Sequence, residues 1–124
     1  MRSVRGFTMI ELLVVLAILS LLLTLATPKY FSGVDRAKET VLKHDLAAAR
    51  EAIDKFYGDQ ARYPGTLEEL VERKYLRAVP VDPITESAET WIIVPPAGDL
   101  PGGVYDLHSG APGNAMDGTF YGDW

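Results

Sequence analysis

The chain has 124 residues, enough for one modest domain beside a targeting or membrane segment, with no cysteine and only two histidines, His44 and His108. A disulfide framework and a thiolate metal centre are excluded, and two histidines so far apart in sequence do not make a zinc site. Charge is divided along the chain: residues 1–77 hold all 12 Lys and Arg against 10 acids, whereas residues 78–124 hold 7 acids and no base, a segment that repels nucleic acid and invites metal ions or a basic partner.

The first element is apolar. Phe7 to Ala26 is a run of 20 residues, which as a helix covers roughly 30 Å and spans a bilayer's hydrocarbon core. Arg2 and Arg5 precede it without an intervening acid, so the positive-inside rule keeps the N-terminus cytoplasmic and exports the chain beyond Ala26. An ordinary secretory signal cleaved after Thr24-Leu25-Ala26 is the competing reading. Two features oppose it. Glu11 lies inside the run, where an ionisable group costs about 2.5–3.5 kcal/mol near the bilayer centre and serves no purpose in a discarded segment. The helical pattern also continues past Ala26: Tyr30, Val34, Ala37 and Val41, then Leu42, Leu46, Ala49, Ile53 and Phe56, recur at spacings of three and four. Asp35, Arg36, Lys38, Glu39, Lys43, Arg50, Glu51 and Lys55 fall between them as a charged face, with Glu39/Lys43 and Glu51/Lys55 in the favourable order. The pattern predicts one helix of about 50 residues, kinked near Pro28 and Gly33 and capped at Gly58.

Arg62-Tyr63-Pro64-Gly65 then predicts a turn, and Thr66-Leu67-Glu68-Glu69 a capping box opening a short helix with Leu67, Leu70 and Val71 inward. Val79-Pro80-Val81-Asp82-Pro83 carries two prolines and reads as a structured loop. Trp91–Val94 and Gly103–His108 read as two strands joined through Gly98-Asp99-Leu100-Pro101-Gly102 in an antiparallel hairpin. Ser109–Trp124 reads as loop with one short edge strand near Thr119-Phe120-Tyr121. Asp106, His108 and Ser109 do not form a hydrolytic triad, because alternation along a strand puts Ser109 on the opposite face from the other two. The tail's oxygens, on Asp106, Ser109, Asn114, Asp117, Thr119 and Asp123, suit either a calcium ion or an acidic loop without metal, and the tail itself holds no competing Lys or Arg.

The stretch Gly6-Phe7-Thr8-Met9-Ile10-Glu11-Leu12-Leu13-Val14, after a short basic leader, resembles the prepilin-peptidase signal of type IV pilins and pseudopilins. Ala61-Arg62-Tyr63-Pro64, Leu67-Glu68-Glu69-Leu70, Tyr75-Leu76, Pro80-x-Asp82-Pro83 and Val104-Tyr105-Asp106-Leu107-x-Ser109 resemble the major, G-type pseudopilins of type II secretion. The resemblance implies an α+β, pilin-like fold: a leader (1–6), a transmembrane and polymerising half-helix (7–26), and a periplasmic globular unit (27–124) with helix 27–58, a short helix 66–73, and sheet and loop within 90–124. It implies cleavage between Gly6 and Phe7 by a prepilin peptidase, methylation of the new Phe7 amine, and a salt bridge from Glu11 to a Phe7 amine that sets register. It implies a structural, non-enzymatic subunit of the bacterial inner membrane that self-associates into a helical filament with minor pseudopilins and an inner-membrane assembly platform, without nucleic acid. It also implies a calcium site built by Leu107, Ser109, Asn114, Asp117 and Asp123, although the family's Ser-x-Gly-x-Asp-Gly pattern is broken here, leaving one acid where two are usual. A type IV pilin for adhesion or motility, and a soluble periplasmic binding protein with an ordinary signal peptide, are the rival readings.

Overall fold

The computed structural model describes residues 6–124, and for residues 27–32 the backbone alone, so Arg2, Arg5 and the Tyr30 side chain lie outside the described residues. The first element is α1, Met9–Gln60, helical through both Pro28 and Gly33. The chain divides into two units, one reaching to Asp35 and the other spanning Arg36–Trp124.

In the first unit, Leu12 through Leu25 leave about half or more of their large apolar side chains exposed, and none of the window Met9–Ala26, of mean hydropathy 2.7, is buried. That window is long and apolar enough to cross a membrane. Its two hydroxyls are satisfied within the helix, Ser20 Oγ donating to the Leu16 carbonyl and Thr24 Oγ1 to that of Ser20, each at 2.8 Å. No polar group of theirs needs water, as a lipid environment demands.

The second unit is built on the apolar stripe of α1. Leu42, Leu46, Ala49, Ile53 and Phe56 are all buried as their spacing predicts, joined by Ala52. Ala37 and Val41, placed on the same stripe from the sequence, are exposed, because the spacing from Val41 to Leu42 breaks the period and only one of the two can face inward. The helix also outruns the predicted cap: Gly58 is helical, α1 ends at Gln60, and Ala61 takes the left-handed conformation (φ 55°), its N–H donating to Tyr57 O at 2.9 Å.

Thr66 caps α2, Leu67–Glu72, its Oγ1 accepting from the Glu69 N–H at 3.2 Å. Leu67 and Leu70 close over the stripe, while Val71 is half-buried. Strands β1, Ile92–Val94, and β2, Asp106–His108, pair antiparallel with Ile93 opposite Leu107. The Tyr63-Pro64-Gly65 turn packs its backbone on the hairpin connection: Tyr63 N–H bonds Pro101 O at 3.1 Å and Gly103 N–H bonds Pro64 O at 2.9 Å. Gly102, at φ 118°, is required there, since a Cβ would lie 2.4 Å from the Tyr63 carbonyl oxygen. The predicted edge strand at Thr119–Tyr121 does not form. A single bridge, Asn114 to Phe120, and a 3-10 turn at Tyr121–Asp123 stand in its place, because the Tyr121 ring turns into the core where a strand would point it along an open edge.

Asp82 organises the loop before β1. It is fully buried; its Oδ1 accepts from Ile84 N–H at 2.8 Å, and its Oδ2 accepts from Ser109 Oγ at 2.5 Å. A buried carboxylate with these donors fixes both the proline-rich loop and the exit from β2.

Candidate functional site

Two places carry the chemistry that the sequence singles out. At the first, Gly6 and Phe7 precede α1 and are exposed, Phe7 being 86% exposed. A Cβ added at Gly6 would meet nothing within 4 Å, so packing does not demand glycine there. Thr8 and Glu11 form a reciprocal capping box. Glu11 N–H donates to Thr8 Oγ1 at 3.1 Å, and Thr8 N–H donates to Glu11 Oε2 at 3.3 Å. The acid in the apolar run therefore has a local use: it satisfies a backbone donor at the positive end of the helix macrodipole. The Thr-x-x-Glu signature was visible in the sequence. The cap leaves the Glu11 carboxylate one residue from the nitrogen that a cut after Gly6 would free.

At the second place, several of the expected calcium ligands hold bonds within the chain. Leu107 O accepts from Arg50 Nη2 at 2.9 Å, and Ser109 Oγ, turned into the core, donates to Asp82 and accepts from Ala111 N–H at 3.1 Å. Asn114 pairs across a bridge with Phe120. Asp117 Oδ1 accepts from Thr119 Oγ1 at 2.6 Å and Thr119 N–H at 2.9 Å, bonds that hold its carboxyl below the usual range. Asp123 is exposed in the 3-10 turn. Among the described residues, no three His, Cys, Asp or Glu side chains cluster.

Residues read from the sequence as the solvent face of α1 meet there instead. Arg50 Nε donates to Asp106 Oδ1 at 2.8 Å, and Nη2 donates to the main-chain oxygen of Trp124 at 2.6 Å. His108 Nδ1 lies 2.6 Å from that same oxygen, which makes Nδ1 the protonated nitrogen. Lys43 Nζ sits 4.6 Å from the centroid of the Trp124 ring. Glu39 Oε1 accepts from Met116 N–H and from Tyr121 Oη, both at 2.8 Å. Only Glu51–Lys55 of the two expected pairs is an ion pair on the helix surface, at 3.1 Å, and His44 is exposed as expected of a surface residue. The Asp106–His108–Ser109 arrangement is as alternation requires, with Ser109 buried and turned away from His108.

Comparison with known proteins bears on the first place and on the chain as a whole. The family model for the prokaryotic N-terminal methylation motif matches residues 1–27. The type II secretion system core protein G of Pseudomonas aeruginosa is 39% identical over 66% of this chain and 69% of its own length. That of Escherichia coli is 30% identical over 90% of this chain and 84% of its own. The type IV major pilin protein PilA of Myxococcus xanthus is 35% identical over 53% of this chain and 30% of its own length. No solved structure matches. With a methylation motif at its start, a pilin-like α+β fold and relatives matched across more than two thirds of their length, the chain belongs to the type II secretion system core protein G family, the G-type pseudopilins.

Proposed function

We propose that this chain is the filament-forming subunit of a type II secretion pseudopilus. The precursor spans the inner membrane once with its N-terminus cytoplasmic. Prepilin peptidase cuts between Gly6 and Phe7, and the Phe7 amine is methylated. The mature subunits then stack through residues 7–26, on an inner-membrane platform and with minor pseudopilins, into a periplasmic filament that pushes folded proteins across the outer membrane. One observation carries the reading: an apolar helix with no cover of its own begins at a capped carboxylate beside a glycine that packing does not need. About 18 residues of exposed apolar surface are stable only in lipid or against other copies. Inside either, Glu11 gains a counter-charge from the amine created at Phe7.

Substitution at Glu11 separates its two tasks. Gln at this position of a capping box still accepts the Thr8 N–H but carries no charge. Glu11→Gln is expected to insert in the membrane, be cleaved, and fail to form filaments or support secretion; normal filaments from that variant would remove the salt bridge and leave Glu11 as a cap. Mass spectrometry of the mature N-terminus reads methylated Phe7 if the proposal holds, and Thr27 if the segment is an ordinary signal peptide.

A further inference from the structure

We infer that Arg50 is the cation that closes the C-terminal segment of this chain, where the family pattern would place a divalent ion. The inference rests on the residues of the second unit, and stands whether or not the filament reading does. Glu39, Lys43, Leu46 and Arg50 succeed one another at spacings of four, three and four, so they share a face of α1. Leu46 on that face is buried in the core, and the three charged neighbours each grip a different part of the segment. Glu39 takes Met116 and Tyr121, Lys43 takes the Trp124 ring, and Arg50 takes Asp106, Leu107 and Trp124. Arg50 thus ties the beginning of the segment to its end through one planar group, which is the topological task of an ion in such a loop.

Guanidinium chemistry suits it. Its N–H groups form a rigid fan that reaches three acceptors at once while keeping the charge at every accessible pH. Residues 78–124, seven acids without a base, receive from the helix the positive charge they lack. A divalent ion would compete for the same oxygen. Bound to Leu107 O at about 2.3–2.6 Å, it would stand no more than about 5.5 Å from an Arg50 nitrogen already 2.9 Å from that oxygen, cation against cation. Two of the other expected ligands are held within the chain: Ser109 Oγ donates to Asp82, and Asp117 Oδ1 accepts from Thr119. Calcium prefers six to eight oxygens, and three of those expected from this segment already hold bonds within the chain.

The test is thermal unfolding of the full chain in detergent micelles, followed through Trp91 and Trp124, in excess EGTA and in millimolar calcium chloride. The expected result is one midpoint in both. A calcium-dependent rise that Asp117→Ala abolishes would overturn the assignment, and this arm needs no Arg50 variant to fold. Arg50→Gln should lower the midpoint by roughly 5 °C or more and open Trp124 to a soluble quencher. Arg50→Lys should fall between the two, since one ammonium keeps the charge but does not reach all three acceptors. An Arg50→Gln chain with unchanged midpoint and quenching would equally sink the proposal.

Discussion

Between Met9 and Ala26 the polar side chains of α1 bond only within their own turn: Ser20 to Leu16, Thr24 to Ser20, Glu11 to Thr8. On the same helix Glu39 and Arg50 reach residues 56 to 82 positions away. The apolar side chains show the reverse, exposed throughout the first stretch, whereas Leu42, Leu46 and Ala49 are buried in the second. A stretch whose hydrogen bonds are all local is complete as a helix but not as a folded object, and its apolar surface is stabilised only by something outside the chain. The second stretch finds its partners within the chain. One continuous helix therefore serves both as an assembly element and as the spine of a domain.

The largest effect expected from this contrast comes from matched truncations. Phe56 is fully buried, so Phe56→Ala should cost about 3–5 kcal/mol in unfolding of the full chain in micelles. Leu16→Ala, at a side chain 52% exposed, should leave that stability within about 0.5 kcal/mol and act on assembly instead. Equal losses for the two would break the comparison, because they would mean that the first stretch has a core of its own.

The parts legible in the sequence were those fixed by local period and chemistry. The stripe from Leu42 to Phe56 comes from 3.6-residue spacing, the Thr66 cap from its hydroxyl, and the hairpin from two short runs around the Gly98-Asp99-Leu100-Pro101-Gly102 connection. Boundaries set by tertiary contact were not legible. Gly58 is a good cap, yet the helix runs on to Gln60, and Asp59 Oδ2 there accepts the Tyr75 hydroxyl at 2.7 Å. The acidic segment reads from the sequence as inviting a metal ion or a basic partner, whereas Arg50, which linear spacing places on a solvated face, bonds it from within the chain. Asp82 shows the same limit: nothing local marks that acid as buried, since its partner Ser109 lies 27 residues on.

A smaller effect tests the local character of the first stretch. Thr8→Val keeps the shape at position 8 and removes the hydroxyl that accepts the Glu11 N–H. The loss is expected to be about 1 kcal/mol, confined to the first turn. Amide exchange at Ile10–Leu12 in micelles should quicken by about fivefold, with the unfolding midpoint of the second unit unmoved. A shifted midpoint would show that the two stretches are coupled.

The smallest effect comes from the second Thr-x-x-Glu in the chain, and it sharpens the comparison furthest. Glu69 sits at the same helical position as Glu11, yet its Oε1 accepts from Gly65 N–H at 2.8 Å, one residue before the cap, and both its oxygens bond Arg62, at 3.0 and 2.9 Å. Arg62 first, and then the Gly65 N–H, hold the Glu69 carboxyl at about 2, down from 4.5. A carboxyl lowered by folding stabilises the fold fully above its unfolded value, and that contribution fades as pH falls through the folded one. Glu69→Gln should therefore be less stable than the unsubstituted chain at neutral pH, and the gap should narrow below pH 4.5 and close near pH 2. Both partners are partly exposed, so the difference at neutral pH should stay below about 1 kcal/mol and shrink in salt. A gap independent of pH would mean that the side chain acts through shape and not through charge. Glu69 has an arginine seven residues away, whereas among the described residues no cation pairs with Glu11. The cut after Gly6 would give Glu11 what Arg62 already gives Glu69, a positive group beside the capped carboxylate, and would do so only once the leader is gone.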